Sequence, residues 1–175
     1  MKRYFLLALG ACTLQAQTSN PLSSELRLMY TTIKTNLLKM AEKMPAENYT
    51  FKPVPEIETF GRRVAHIADA NYRTCAGLMG ERKTLGSAAK TAKADLVAAL
   101  KESFATCDAV FDSLTDATAV EMMNGTIGSP PTPAGQTRTR LSTMWNVVRH
   151  SNELYGYMAV YLRLKGVVPP TSAPD

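Results

Sequence analysis

Residues 59–80 read TFGRRVAHIADANYRTCAGLMG, and this stretch decides the fold. Phe60, Val64, Ile67, Asn71, Cys75 and Leu78 recur at intervals of three and four, so they share one face of a helix. Thr59 offers the kind of side-chain oxygen that closes a helix N-terminus, and Gly80 is the residue type that ends one. No part of the chain shows sustained period-two alternation between hairpin turns, so the class is all-α.

The same period repeats on both sides of this helix. Upstream, Leu22, Leu26, Met29, Ile33, Leu37, Met40 and Met44 form a stripe over residues 22–44, which Pro45 ends. Residues 48–58 contain Pro53 and Pro55 and read as an extended connection. Downstream, polar and small residues 81–90 make a linker. A third helix over 91–114 turns Leu96, Leu100, Phe104, Cys107, Phe111 and Leu114 inward. Glycines and prolines from Gly125 to Gly135 make 116–137 a long loop. The fourth helix, 139–165, carries two adjacent seams. One is Leu141, Trp145, Val148, Tyr155, Ala159 and Leu162; the other is Val147, His150, Leu154, Tyr157 and Tyr161. Gly166 and the Pro169–Pro170 pair stop it. Four such helices close into a four-helix bundle, a single domain over residues 21–172.

Composition sets limits on function. The 175 residues are 45% hydrophobic and 20% charged, which is globular rather than disordered. With three cysteines and two histidines there is no zinc-finger or zinc-ribbon pattern. Neither a GxxxxGK[ST] nor a GxGxxG run is present. The arginines are scattered rather than interleaved with aromatics in a stripe, so nucleic acid is not an expected partner.

The first residues have the layout of an export signal. Lys2 and Arg3 precede an apolar run, YFLLALGA at 4–11, followed by the polar stretch Thr13 to Asn20. The run is too short to span a bilayer. Cleavage near Ala16 or Gln17 makes 1–17 a signal peptide and the protein periplasmic or extracellular. The alternative uses Leu9-Gly10-Ala11-Cys12, which is similar to a lipobox; lipid on Cys12 would tether the chain to a membrane. Loss of Lys2 and Arg3 leaves 18 basic against 15 acidic residues, a charge of +3.

Exported chains form disulfides, and the spacing of the two remaining cysteines bears on topology. Cys75 lies sixteen residues after Thr59, and Cys107 sixteen after Thr91. Parallel second and third helices place the thiols level, whereas antiparallel ones separate them by about a dozen residues, roughly 18 Å. A disulfide needs Cα atoms within about 7 Å. A parallel pair requires a connection of roughly 30 Å, and the eleven residues 80–90 reach about 36 Å when extended. A Cys75–Cys107 bond therefore implies a crossover bundle; two small buried hydrophobes is the other reading of these residues.

His66 and His150 sit mid-helix, in VAHIADA and VVRHSNELYG. Thr59-Phe60-Gly61-Arg62 leading to HIADANY at 66–72, then HSNELYG at 150–156, and the ending YLR…GVVPPTS at 161–172, resemble the DinB family over essentially the whole chain from 21 to 172. The resemblance implies an up-down-down-up bundle, a divalent-metal site, zinc or nickel, held by three histidines, and frequent homodimers. It also implies thiol-dependent transferase or hydrolase-like chemistry, as in relatives that use mycothiol or bacillithiol and in a maleylpyruvate isomerase. His66 matches the first ligand and His150 the second. The third position, four residues after His150, is Leu154, which has no lone pair. Glu153 is the nearest substitute, as auxiliary ligand or base, and Asn146 is one turn upstream. Asp69 could orient an imidazole or pair with Arg62 or Arg73. Tyr157 and Tyr161 could line a polar pocket or serve as core tyrosines. Two functions follow: metal-assisted chemistry on a small-molecule substrate, or a non-catalytic binding or structural module with a degenerate pocket. A scaffold tethered through Cys12 is a third.

Overall fold

The computed structural model describes residues 20–123 and 137–173. The expected export segment, Cys12 included, lies outside them. The long helices are α1 (Pro21–Lys43), α2 (Phe60–Leu78), α3 (Lys93–Asp112) and α5 (Arg140–Leu164). Of the stretch expected as one long loop, 116–137, residues 124–136 with their glycines and prolines lie outside the described residues, and its start holds regular structure. It contains a short α4 (Asp116–Ala119), and β1 (Met122–Met123) pairs antiparallel with β2 (Arg138–Thr139). The Thr115 hydroxyl accepts from the Thr118 amide at 3.2 Å and closes α4. This is a local signal that the neighbouring glycines and prolines mask.

Chain chemistry sets the helix ends. Thr59 Oγ1 accepts from the Arg62 amide at 3.2 Å, and Thr139 Oγ1 from the Ser142 amide at 3.1 Å. At the other ends Gly80 (φ 81°) and Gly166 (φ 72°) take the left-handed conformation. Glu81 N then donates to Ala76 O, and Val167 N to Leu162 O, each at 2.9 Å, so both helices stop in Schellman motifs. The start of α1 is capped from elsewhere. Asp116 accepts from the amides of Ser23 (2.9 Å) and Leu22 (3.2 Å), while Asn20 Oδ1 accepts from the Asp116 amide at 2.9 Å.

Contacts fix the directions of the helices. Near their starts Gly61 of α2 lies against Leu96 of α3, and nearer their ends Cys75 is bonded to Cys107 with Cα atoms 5.0 Å apart. These two helices are therefore parallel. Arg27 reaches the carbonyls of Phe111 and Asp112, while Lys93 reaches those of Glu42 and Met44, so α1 and α3 are antiparallel. His66 meets His150 and Phe60 meets Tyr161, so α2 and α5 are also antiparallel. The order round the bundle is α1, α3, α2, α5, an all-α up-down-down-up crossover as expected.

The core is built from Leu26, Ile33, Leu37, Phe60, Ile67, Phe104, Phe111, Met144, Met158 and Leu162 with their neighbours. Burial of each large side chain stabilises the fold by about 1.5–3 kcal/mol. Two assignments of facing are corrected. On α1, Leu22 and Met29 are exposed, and Ser23 and Tyr30 take the inward places. Tyr30 stacks on Phe111 with centroids 3.8 Å apart, and Asp108 Oδ1 at 2.8 Å and Phe104 O at 3.0 Å are the acceptors within reach of its hydroxyl, which is how a tyrosine can take a buried place. On α5, Trp145 is 45% and Tyr157 52% exposed, while Met144, Ser151 and Met158 face inward. A 25-residue helix packed against two neighbours buries a stripe lying between the two seams read from its sequence.

Candidate functional site

The α2–α5 interface is where the two histidines meet. On α2, Val64, Ile67 and Ala68 are buried, which turns His66 off the core face toward α5. On α5, His150 lies one turn after buried Val147 and presents its ring back. The two Nε2 atoms are 3.0 Å apart and the rings are inclined at 74°. Between neutral imidazoles this separation requires one Nε2–H to donate and the other nitrogen to accept. His66 is exposed as a residue, but the partial loss of water where its ring meets α5 is the largest influence lowering its pKa below the ordinary 6.5. A proton on the neighbouring His150 and the guanidinium groups of Arg63 and Arg73 push the same way, and Asp69 opposes them. At neutral pH His66 is therefore the uncharged imidazole, with a lone pair to offer.

The pair stands beside a cavity of about 220 Å³. His66, Asn71, Arg73 and Thr74 line it from α2, and Asn146, Arg149 and His150 from α5, with Ala70 and Val147 between them. Asn71 Nδ2 donates to Ser151 Oγ at 3.3 Å, a buried bridge between the two helices. Arg149 is held by Asn146 Oδ1, at 2.8 Å from Nη2, and lies 3.4 Å from Glu153 Oε2. Arg73 is exposed and has no hydrogen bond or ion pair among the described residues. A second hollow of about 200 Å³ flanks the other side of His66, between Arg62, Asp69, Arg73 and Ala88.

The remaining residues singled out from the sequence take varied places. Leu154 is 2% exposed and belongs to the core. Glu153 Oε2 lies 3.6 Å from His150 Nδ1, on the ring edge away from His66. That position suits a carboxylate that biases the imidazole tautomer, not one that shares an ion with both Nε2 atoms. Asp69 accepts from the amides of Ser87 (2.8 Å) and Ala88 (3.0 Å), and so ties the α2–α3 connection to α2. Tyr161 donates to Glu58 O at 2.7 Å and packs on Phe51, a core tyrosine. Tyr157 lies on the surface beside the Arg63 guanidinium, its hydroxyl 3.4 Å from Glu153. Sequence reasoning passed over Arg149 and Thr74. The available signal was polar residues at helical spacing, 66, 73 and 74 on one helix and 146, 149 and 150 on the other.

The donor set can be tested against the three-histidine centre. An ion about 2.0–2.1 Å from each nitrogen would close an N–metal–N angle of about 91–97° across the 3.0 Å gap, so two positions fit. The other positions do not. Among the described residues no group of three His, Cys, Asp or Glu side chains converges on one point. The cavity beside the pair carries guanidinium groups, which repel a cation.

Comparison with known proteins agrees with the architecture. A crystal structure of a DinB-like protein from Bacillus cereus ATCC 10987 superposes with a TM-score of 0.65 at 18% identity, covering 84% of this chain and 95% of that one. No protein of curated function matches the sequence. The family profile described as the DinB superfamily matches residues 29–158. Histidines paired across α2 and α5 of a crossover bundle, with this match along most of its length, show that the chain belongs to the DinB superfamily.

Proposed function

We propose that this chain is an exported DinB-like binding module whose three-histidine metal centre has degenerated, leaving a polar cleft between α2 and α5 as its ligand site. Leu154 carries this reading: the third ligand position is a buried aliphatic, and its vicinity is packed core. Elemental analysis of purified protein, with His66→Ala beside it, tests the reading. The expected result is no stoichiometric metal in either. An equivalent of zinc or nickel that survives dialysis against a chelator in the wild type and is lost in His66→Ala would overturn it.

A second reading has its own support. The 3.0 Å Nε2 separation suits two imidazoles sharing one divalent ion, zinc or nickel, with His66 and His150 as the ligands. A third donor sharpens the choice. Leu154→His buries an imidazole in packed core and should lower the melting temperature of the metal-free protein. If the two-histidine geometry persists, zinc should then raise it in proportion to the logarithm of zinc concentration over Kd. A variant indifferent to zinc would count against any usable metal geometry here.

Export has two supports: the basic and apolar run at the start of the sequence, and the Cys75–Cys107 bond. The intact mass of protein recovered from the periplasm or medium should correspond to a chain beginning near residue 17 or 18. A lipid-bearing mass starting at Cys12 would replace soluble export with tethering.

A further inference from the structure

We propose that the cleft beside the histidine pair is a binding site for a small oxyanion, gripped by Arg73 from α2 and Arg149 from α5. The inference rests on the degenerate-centre reading and adds the class of ligand.

The first observation is charge. Among the described residues, the lining includes two guanidinium groups and two imidazoles, and no carboxylate. Glu153 lies outside the lining, 3.4 Å from Nη1 of Arg149 and 3.6 Å from Nδ1 of His150, and Asp69 lies on the other side of His66, in the second hollow. The second observation is preorganisation. Asn146 Oδ1 accepts from both Nε and Nη2 of Arg149, at 3.3 and 2.8 Å, and fixes the plane of the guanidinium. With that edge held by Asn146 and Nη1 shared with Glu153, the remaining N–H groups of Nη1 and Nη2 are the ones left to donate to an anion. The third is the absence of a counter-ion for Arg73. It faces the same cavity and has no ion pair among the described residues, which leaves its charge available to a ligand there. Thr74 and Asn71 add neutral polar groups from the same helix, and Ala70 and Val147 give the wall an apolar part. A cavity of about 220 Å³ holds an anion with a short organic body. Carboxylates and phosphate monoesters share the chemistry these groups recognise.

Calorimetric titration of chelator-treated protein, at neutral pH and low ionic strength, tests the site with two probes, inorganic phosphate and succinate. Saturable binding of one probe per chain is expected. Binding of phosphate alone assigns a tetrahedral oxyanion, and of succinate alone a carboxylate. Arg73→Gln should weaken binding about tenfold or more, the effect of losing a charge-assisted hydrogen bond. Arg149→Gln should weaken it less, because Glu153 already shares that charge. Arg73→Lys should recover part of the loss, and Arg163→Gln, on an exposed part of α5 outside the cleft, should match the wild type. Failure of folded wild-type protein to bind either probe would overturn the inference while leaving the degenerate-centre reading intact. Equal losses in Arg73→Gln and Arg163→Gln would overturn it too, as diffuse charge attraction. Binding that begins only after zinc loading would overturn both readings together.

Discussion

Helix α2 has two neighbours and treats them differently. Toward α3 it is parallel, close and covalently joined: Gly61 lets the backbone approach Leu96 and Tyr49, and Cys75–Cys107 locks the far end. Toward α5 it is antiparallel and polar, with an imidazole pair, an Asn71–Ser151 bridge and a cavity where side chains would otherwise pack. One helix thus serves as scaffold on one side and as the wall of the proposed site on the other. A ligand site needs space and unsatisfied polar groups, both of which cost stability. The α3 side supplies rigidity that the α5 side gives up.

The largest expected effect breaks the rigid side. Replacing Cys75 and Cys107 by serine removes a cross-link across 32 residues and should cost about 3–4 kcal/mol, read as a lower denaturant midpoint. An unchanged midpoint would mean that α2 and α3 are held by packing alone. Next comes the close approach. A Cβ at Gly61 would lie 3.0 Å from Tyr49 O and 3.3 Å from Leu96 Cδ1, so Gly61→Ala should cost about 1–3 kcal/mol by chemical denaturation. A neutral result would show that the backbone there shifts freely.

The smallest expected effect lies on the α5 side and depends on pH. Unfolded His66 takes up its proton near 6.5, while the folded pKa is lower. Between the two values the unfolded chain binds more protons. Stability should therefore fall as pH drops through 6.5 and level off below the folded pKa. His66→Gln should flatten that part of a plot of melting temperature against pH. A variant that keeps the full slope would place the pH sensitivity elsewhere.

Much of the scaffold was legible because it is written in local chemistry. Thr59 and Thr139 cap the helices they precede, Gly80 and Gly166 end theirs, and matched cysteine spacing points to the crossover. The resemblance placed His66 and His150, which the fold brings into contact. What escaped depends on partners distant in sequence. Asp69 was a candidate to orient an imidazole, yet it binds backbone eighteen residues away. Tyr157 and Tyr161 share a seam by spacing, but only Tyr161 is covered, by Phe51 and Glu58 from the α1–α2 connection. Arg149 acquires meaning only when α5 lies beside α2. The inward place of Ser23 depends on Asp116 of α4, whose carboxylate accepts from its hydroxyl at 2.7 Å.

The clasp made by Asp69 has a practical consequence. Both carboxylate oxygens hold amides at Ser87 and Ala88, and Arg62 reaches Ala88 O, so the return strand is moored beside His66. The slack of the crossover then lies upstream, at residues 81–86, where Gly86 turns the chain at φ 68° with open space around it. That stretch is the place to splice in a tag or a fluorophore, since lengthening an exposed loop adds little closure entropy and the mooring shields the cleft from the insertion.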